Sequence, residues 1–324
     1  MKEEIMSTTT VKGNFVRFRY WFTPISSSKK KRNFKHLPTI LLLFTVLAVI
    51  IPLWVSGNQI KFERVSLKDG LSQSAVFSIL QDRQGFMWFA TQEGLNKYNG
   101  YDFKVFKHRI DEPESLSDNW INVIFEDSHG DLWVGTADGG LDKFDRSGEE
   151  FIHYQHQPQN VGSISDDHIL TIYEDSRETL WIGTNQGGLN RFNRRREEFI
   201  RYTPEATNPN SLSHDKVTAI CEDNSGALWI GTHGGGLNKL TRKSSANTDS
   251  VFFQHFRHQS DNPNSLSSDR VLSLHWEQSG YLWIGTNGGG LDKYNPRTGK
   301  FTHYLARPGE DGSLTDNRIY KIFQ

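Results

Sequence analysis

The chain has a single cysteine, Cys221, in 324 residues, with only three methionines and ten prolines. One cysteine excludes an intrachain disulfide and any zinc site built from several cysteines. Net charge is nearly absent too: 37 Lys and Arg face 38 Asp and Glu, a formal charge of −1. That balance excludes a globally basic nucleic-acid binder and an acidic disordered chain. Hydrophobic residues are few at 35%, whereas aromatics are many at 12%, with nine Trp and 21 Phe. A core built from aromatic anchors on many short elements follows from this composition.

The balanced total hides an uneven distribution. Residues 1–36 hold nine Lys or Arg and two Glu, a net of +7, which leaves −8 for the rest. No charged residue occurs between His36 and Lys61, and within that window Leu37–Val55 reads LPTILLLFTVLAVIIPLWV. Nineteen apolar residues in helix come close to spanning a hydrocarbon core of about 30 Å. The basic run KKKRNFKH lies immediately before them, so residues 1–36 are expected in the cytoplasm, 37–55 as a transmembrane signal anchor, and the remainder outside. A cleaved signal peptide is the competing reading, because Ser56 and Gly57 follow the apolar run.

The rest of the chain repeats. The sequence L-W-[IV]-G-T surrounds Trp133, Trp181, Trp229 and Trp283, and a degenerate copy, MWFAT, surrounds Trp88; the spacings are 45, 48, 48 and 54. A second marker, [LI]-[ST], falls at Leu71, Leu116, Ile164, Leu212, Leu266 and Leu314 and steps in parallel. The six extra residues of the long interval fall in TRKSSANTDS (Thr241–Ser250), read here as an insertion confined to one loop. Each unit reads as four short strands joined by Asp-x-x-Gly and Gly-Gly turns. One such sheet buries neither face alone, whereas radial packing buries both, with Trp and Phe filling the wedges. The expected fold is therefore all-β: a β-propeller over 60–324 with blades near 71–106, 116–154, 164–202, 212–256 and 266–304. A partial sixth blade at 314–324 makes the ring incomplete, about five and a half blades, and implies a longer natural protein. Ile60–Val65 resembles a last strand that would latch a complete ring.

Over Leu71–Gln324 these residues resemble the two-component regulator propeller repeat, whose pattern is close to L-S-x-[DN]-x-V-x-x-I-x-E-D-x-x-G-x-L-W-I-G-T-x-G-G-G-L-x-[KR]-[YF]. The resemblance implies the extracytoplasmic sensor region of a hybrid histidine kinase or a related diguanylate cyclase. Its implied setting is the bacterial inner membrane, with the propeller in the periplasm, a ligand that is often a glycan, and homodimerisation. No kinase or cyclase motif appears before Gln324, so no output activity transfers to any residue of the chain. No cofactor and no nucleic-acid partner are implied.

Several motifs invite chemistry that their context does not support. The glycine runs Gly187–Gly188, Gly234–Gly236 and Gly288–Gly290 lack the Lys-Ser/Thr and helix of a phosphate loop and read as hairpin turns. The acidic pairs Glu126–Asp127, Glu174–Asp175 and Glu222–Asp223 recur once per unit, which suits turn formation better than catalysis or calcium. His153/His156 and His255/His258 sit on expected strands, where a spacing of three sends side chains to opposite faces, so no metal site is assigned. Cys221 fills a packing position, the five repeat Trp are structural anchors, and Arg194–Arg196 reads as a solvated loop. Functional residues should instead break the repeat. After the Thr of L-W-I-G-T stand Gln92, Ala137, Asn185, His233 and Asn287, a polar ring expected on one mouth of the propeller. His275 and Trp276 are a second departure, since Trp276 replaces the acid of the preceding units. The candidate ligand-binding set is therefore Gln92, Asn185, His233, Asn287, His275 and Trp276, with a sugar as the class of ligand. An exported propeller acting as a lyase or glycosidase, and an adhesion scaffold, are the alternatives.

Overall fold

A computed structural model describes residues 64–245 and 248–323. The basic leader, the apolar segment 37–55 and most of Ile60–Val65 lie outside the described residues; Arg64 and Val65 pair in no strand. Among the described residues no helix is long and apolar enough to cross a membrane.

Among the described residues, twenty strands form five four-stranded antiparallel sheets, each made of consecutive strands. Blade 1 holds β1 (Val76–Gln81), β2 (Met87–Thr91), β3 (Gly94–Tyr98) and β4 (Phe103–Phe106). Blade 2 holds β5 (Ile121–Glu126), β6 (Leu132–Thr136), β7 (Leu141–Asp145) and β8 (Glu150–Tyr154). Blade 3 holds β9 (Ile169–Glu174), β10 (Leu180–Thr184), β11 (Leu189–Asn193) and β12 (Glu198–Tyr202). Blade 4 holds β13 (Val217–Glu222), β14 (Leu228–Thr232), β15 (Gly236–Ser245) and β16 (Thr248–Phe256). Blade 5 holds β17 (Val271–Glu277), β18 (Tyr281–Thr286), β19 (Leu291–Asn295) and β20 (Lys300–Tyr304). First strands pack on first strands around the axis, as a propeller requires.

The insertion is not a loop. Pairing in blade 4 continues from Leu240↔Phe253 out to Ser245↔Thr248, so the extra residues lengthen both arms of the β15–β16 hairpin. Adding paired residues to both arms preserves the register, and each pair satisfies backbone groups that a loop would leave to water.

The core lies in the seams. Trp88, Trp133 and Trp181 are fully buried and Trp229 is 1% exposed. Trp88 meets Phe144 edge-on at 5.3 Å, Trp133 meets Phe192 at 5.3 Å, and Trp229 meets Tyr294 at 5.5 Å, each partner sitting on the third strand of the next blade. At the fourth position Leu240 replaces the aromatic, and the Arg242 guanidinium covers Trp181 at 5.1 Å instead. Trp283 is only half-buried, because no further blade covers it among the described residues. The glycine of L-W-I-G-T is a close-approach position: a Cβ on Gly135 would lie 2.6 Å from both Ile169 and Val123. Any larger side chain there would force the first strands of adjacent blades apart.

Each indole N–H is also spoken for. Trp88, Trp133, Trp181 and Trp229 donate to Asp82, Asp127, Asp175 and Asp223 at 2.7–3.0 Å, and Trp283 donates to Glu277 at 2.8 Å. The other oxygen of Asp127 caps the turn, accepting from the His129 and Asp131 N–H groups at 2.9 and 3.0 Å. The acids recur once per unit because every blade needs this brace.

The arginine run is not simply solvated. Arg194 Nη2 reaches back across the seam to Asp127 Oδ2 at 2.8 Å and to Glu174 of its own blade at 2.9 Å. Arg146 makes the equivalent bridge to Asp82 and Glu126, both at 2.8 Å, and Arg242 reaches Asp175. Glu126 and Glu174 complete these seams by accepting from the backbone N–H of Arg83 at 2.8 Å and of Ser128 at 2.6 Å. Blade 5 has Pro296 at the clamp position, and Asp223 pairs with Lys239 of its own blade at 3.3 Å. Burial pushes Asp127 up, yet the Trp133 N–H and the Arg194 guanidinium outweigh it and hold the carboxyl below its ordinary range. Losing the cation from a buried carboxylate is costly, so Arg194→Ala is expected to destabilise the fold by about 2 kcal/mol. Exposed Arg195→Ala should change it by less than about 0.5 kcal/mol. Urea unfolding followed by tryptophan fluorescence distinguishes the two, and equal effects would show that the clamp contributes nothing.

Candidate functional site

The two mouths of the propeller differ in kind. One carries the β1–β2-type and β3–β4-type turns, where the Asp, Glu and Arg clamps tie neighbouring blades together. Among the described residues, one group there has metal-ligand spacing: Asp127, His129 and Glu174. Arg194 already supplies a cation to two of its three members. The other mouth carries the glycine turns and the connections between blades, and it holds the repeat-breaking positions.

Gln92, Asn185, His233 and Asn287 occupy equivalent half-buried places on this second mouth, immediately after the buried Thr of each second strand. The main-chain N–H of Asn185, His233 and Asn287 donates to the carbonyl of His168, Lys216 and Arg270 at 3.0, 3.0 and 2.8 Å. Side chains converge at the seam between blades 4 and 5, where Asn287 Nδ2 lies 3.5 Å from His233 Nε2. The other two candidates are elsewhere. Val271 pairs with Thr286 at the second-mouth end, whereas His275 pairs with Trp283 and Trp276 with Leu282 towards the first mouth. Trp276 Nε1 donates across the seam to Asn224 Oδ1 at 2.9 Å, so this residue joins blades 4 and 5 where Glu does so elsewhere. The six candidates therefore form no single cluster.

Sequence reasoning missed the residue preceding each first strand. Trp120, His168, Lys216, Arg270 and Arg318 occupy that position in successive units, next to the polar ring. Its variation from unit to unit was the available signal.

Histidines and serines near this mouth imitate hydrolytic machinery without forming it. His153 Nδ1 lies 2.6 Å from Asp142 Oδ1, but its Nε2 faces the Pro113 carbonyl at 2.9 Å and no hydroxyl. Blade 5 repeats the arrangement with His303, Asp292 and the Pro263 carbonyl, at 2.6 and 3.0 Å. Blades 1, 3 and 4 place Asn96, Asn190 and Asn238 at the acid's position, donating an amide N–H to Ser72, Ser165 and Ser213 at 2.7–2.9 Å. With Asp there the amide donor is gone, and Ser117 and Ser267 face a carboxylate instead, their main-chain N–H groups donating to Asp142 Oδ2 and Asp292 Oδ2 at 2.9 and 2.8 Å. His156 and His258 donate Nδ1–H to the carbonyls of Ile164 and Leu266 at 2.9 and 2.8 Å, closing the blade connections. Cys221 is buried among Trp229, Leu237 and Val271, and burial pushes its thiol up, away from the reactive thiolate.

A family model described as the two-component regulator propeller matches residues 70–93, 115–138, 163–186, 211–234 and 265–288. These five repeats belong to the two-component regulator propeller family. The matched segments run from the inter-blade connection to the glycine mouth, so they contain both the Trp–acid brace and the polar ring. The extracellular domain ascribed to the hybrid two-component system BT3049 of B. thetaiotaomicron is similar at 27% identity and a TM-score of 0.64. That likeness covers 81% of this chain and 39% of the other. A histidine kinase, P4, of Formosa agariphila is 36% identical over 77 residues, which is 24% of this chain and 6% of that protein. The chain thus spans well under half the length of each of these two relatives. PorZ of Porphyromonas gingivalis, at 15% identity and a TM-score of 0.56, shares the fold, over 75% of this chain and 35% of its own.

The paired acids and histidines of the regulator propeller give it a pH signature. Both His153 ring nitrogens face acceptors, which suits the doubly protonated ring. The Asp142 carboxylate raises His153, and burial pushes Asp142 itself up. In blade 5 burial opposes charging of His303, but Asp292 outweighs it and raises the ring likewise. A raised folded value means that the folded chain retains protons the unfolded chain has released. The stabilisation is complete below the ordinary histidine value of about 6.5 and is lost as pH rises through the folded value. The thermal midpoint is expected to fall between about pH 6 and pH 8, and the double variant His153→Gln, His303→Gln to flatten that slope. An unchanged slope in the double variant would remove these pairs as its cause.

Proposed function

We propose that this regulator propeller is the extracytoplasmic ligand-sensing part of a two-component sensor held in a bacterial inner membrane by residues 37–55. The observation that carries the reading is the division of labour between mouths. At the first mouth, arginine clamps hold three of the four seams between the described blades, and Trp276 with Asn224 joins the fourth. The second presents Gln92, Asn185, His233 and Asn287 as unlike polar groups on a rigid scaffold, the arrangement expected of a binding surface. Trp120, 45% exposed beside this ring, adds an aromatic face of the kind sugars stack on. The likeness to an extracellular domain of a two-component system supports the placement outside the cytoplasm. Ligand binding transmits a signal only through differential affinity for two arrangements of the receptor. Blades locked seam to seam move as a body, so displacement would be passed on whole to whatever follows the propeller.

Two measurements test this reading. Alkaline phosphatase fused after Gln324 should be active and a green fluorescent protein fusion at the same place dark. A glycan array probed with the full chain should show selective binding that His233→Ala or Asn287→Ala weakens by about tenfold. A silent phosphatase with a bright fluorescent fusion overturns the topology, and an array without selective binding overturns the sensing role.

A further inference from the structure

Charge is divided across the second mouth in a way the repeat does not require. In blades 2 and 3 the residue after the [LI]-S marker is Asp118 or Asp166, whose carboxylate accepts from the N–H of Asp138 at 3.1 Å or of Gln186 at 2.7 Å. Blades 4 and 5 have His214 and Ser268 there, with Gly234 and Gly288 in the glycine turn. The N–H groups of these glycines donate instead to the main-chain carbonyls of Asp269 and Asn317, at 2.9 and 3.0 Å. Two carboxylates and two side chains have therefore gone from this sector.

Cations have taken their place. Lys216 O accepts from His233 N, His233 bridges Arg270 across the seam, Arg270 O accepts from Asn287 N, and Asn287 bridges Arg318. Lys216, His233, Arg270, Asn287 and Arg318 thus form one continuous row along the mouth. Among the described residues no carboxylate lies within ion-pair distance of Lys216, Arg270 or Arg318. Of the nearby acids, Asp269 accepts from the His258 N–H at 2.7 Å and Asp316 from the main-chain N–H of Arg318 at 2.7 Å, while Asp215 lies beside the His214 ring, whose Nδ1 accepts from the Lys216 N–H at 3.0 Å. Burial pushes His233 down, and the nearby Lys216 and Arg270 charges add to it. The contrast with the first mouth is direct, because Arg146, Arg194 and Arg242 all have carboxylate partners there.

Unpaired cations held side by side repel one another and strengthen any oxyanion placed between them. We infer that this row is an oxyanion seat, and that the ligand of the second mouth is an acidic saccharide whose carboxylate or sulfate group lies over His233 and Asn287 between Lys216 and Arg270. The inference rests on the sensing role proposed above and narrows the class of its ligand.

The test is calorimetric titration of the full chain with an oligogalacturonate, a sulfated galacto-oligosaccharide and the neutral galacto-oligosaccharide of equal length. Binding is expected for at least one acidic probe, weakening as salt or inorganic sulfate is raised, and for the neutral probe not at all. Arg270→Ala and Lys216→Ala should each weaken acidic binding by about tenfold, and Arg270→Lys by less, because it keeps the charge and loses only the two-point contact of a guanidinium. Arg195→Ala on the opposite mouth removes the same charge and should leave binding unchanged. Retained near-ultraviolet circular dichroism shows that each variant is folded. Equal binding of neutral and acidic probes overturns the oxyanion seat while leaving the sensing role intact. Acidic binding that survives Arg270→Ala and Lys216→Ala, persists in saturating sulfate, or falls equally with Arg195→Ala, also overturns it. Binding of none of the three probes overturns the seat, and an array that nonetheless shows selective binding keeps the sensing role.

Discussion

A four-stranded sheet of five-residue strands has two faces and too little bulk to bury either. The constraint that organises this molecule is that each face must be covered by a neighbour of the same kind. The device that achieves it is one tryptophan per blade. Its ring fills the wedge against the next blade, and its indole N–H is fixed by an acid that also caps the first turn of the same blade. Strand pairing, turn geometry and seam packing therefore meet at a single side chain. The same economy explains how a chain with so few aliphatic residues builds a core: large aromatic rings at seams replace one central mass.

The seams are not equivalent, and the differences have physical causes. Three are clamped by an arginine crossing to the acid of the preceding blade. The seam between blades 4 and 5 lacks that arginine and is joined instead by Trp276 and Asn224, with the hydrogen-bond polarity reversed. Blades 2 and 5 exchange a neutral Asn–Ser contact for a buried Asp–His pair. Such substitutions keep the backbone unchanged, since each replaces one satisfied contact across a fixed gap by another. The second mouth is where substitutions no longer serve a seam. Its side chains vary in charge and shape from blade to blade while the main-chain bonds beneath them repeat.

The sequence by itself determined the repeating unit, because turn glycines, the Trp of the second strand and the strand periodicity are local and recur at fixed spacing. It also pointed to the acidic pairs as scaffold, since a residue that occurs once per unit at the same place answers a need of every unit, and to Cys221 as packing, since Leu80, Phe125 and Tyr173 fill its place in other units. What only the tertiary structure decided lies between units. The arginine of Arg194–Arg196 that reaches across a seam, the continuation of Thr241–Ser250 as a longer hairpin, and the seam role of Trp276 all depend on which blade stands opposite. The row from Lys216 to Arg318 is likewise assembled from residues that are far apart along the chain and become neighbours only around the axis. Covalent spacing fixes what happens within a hairpin, whereas contacts across a seam require the ring to have been built.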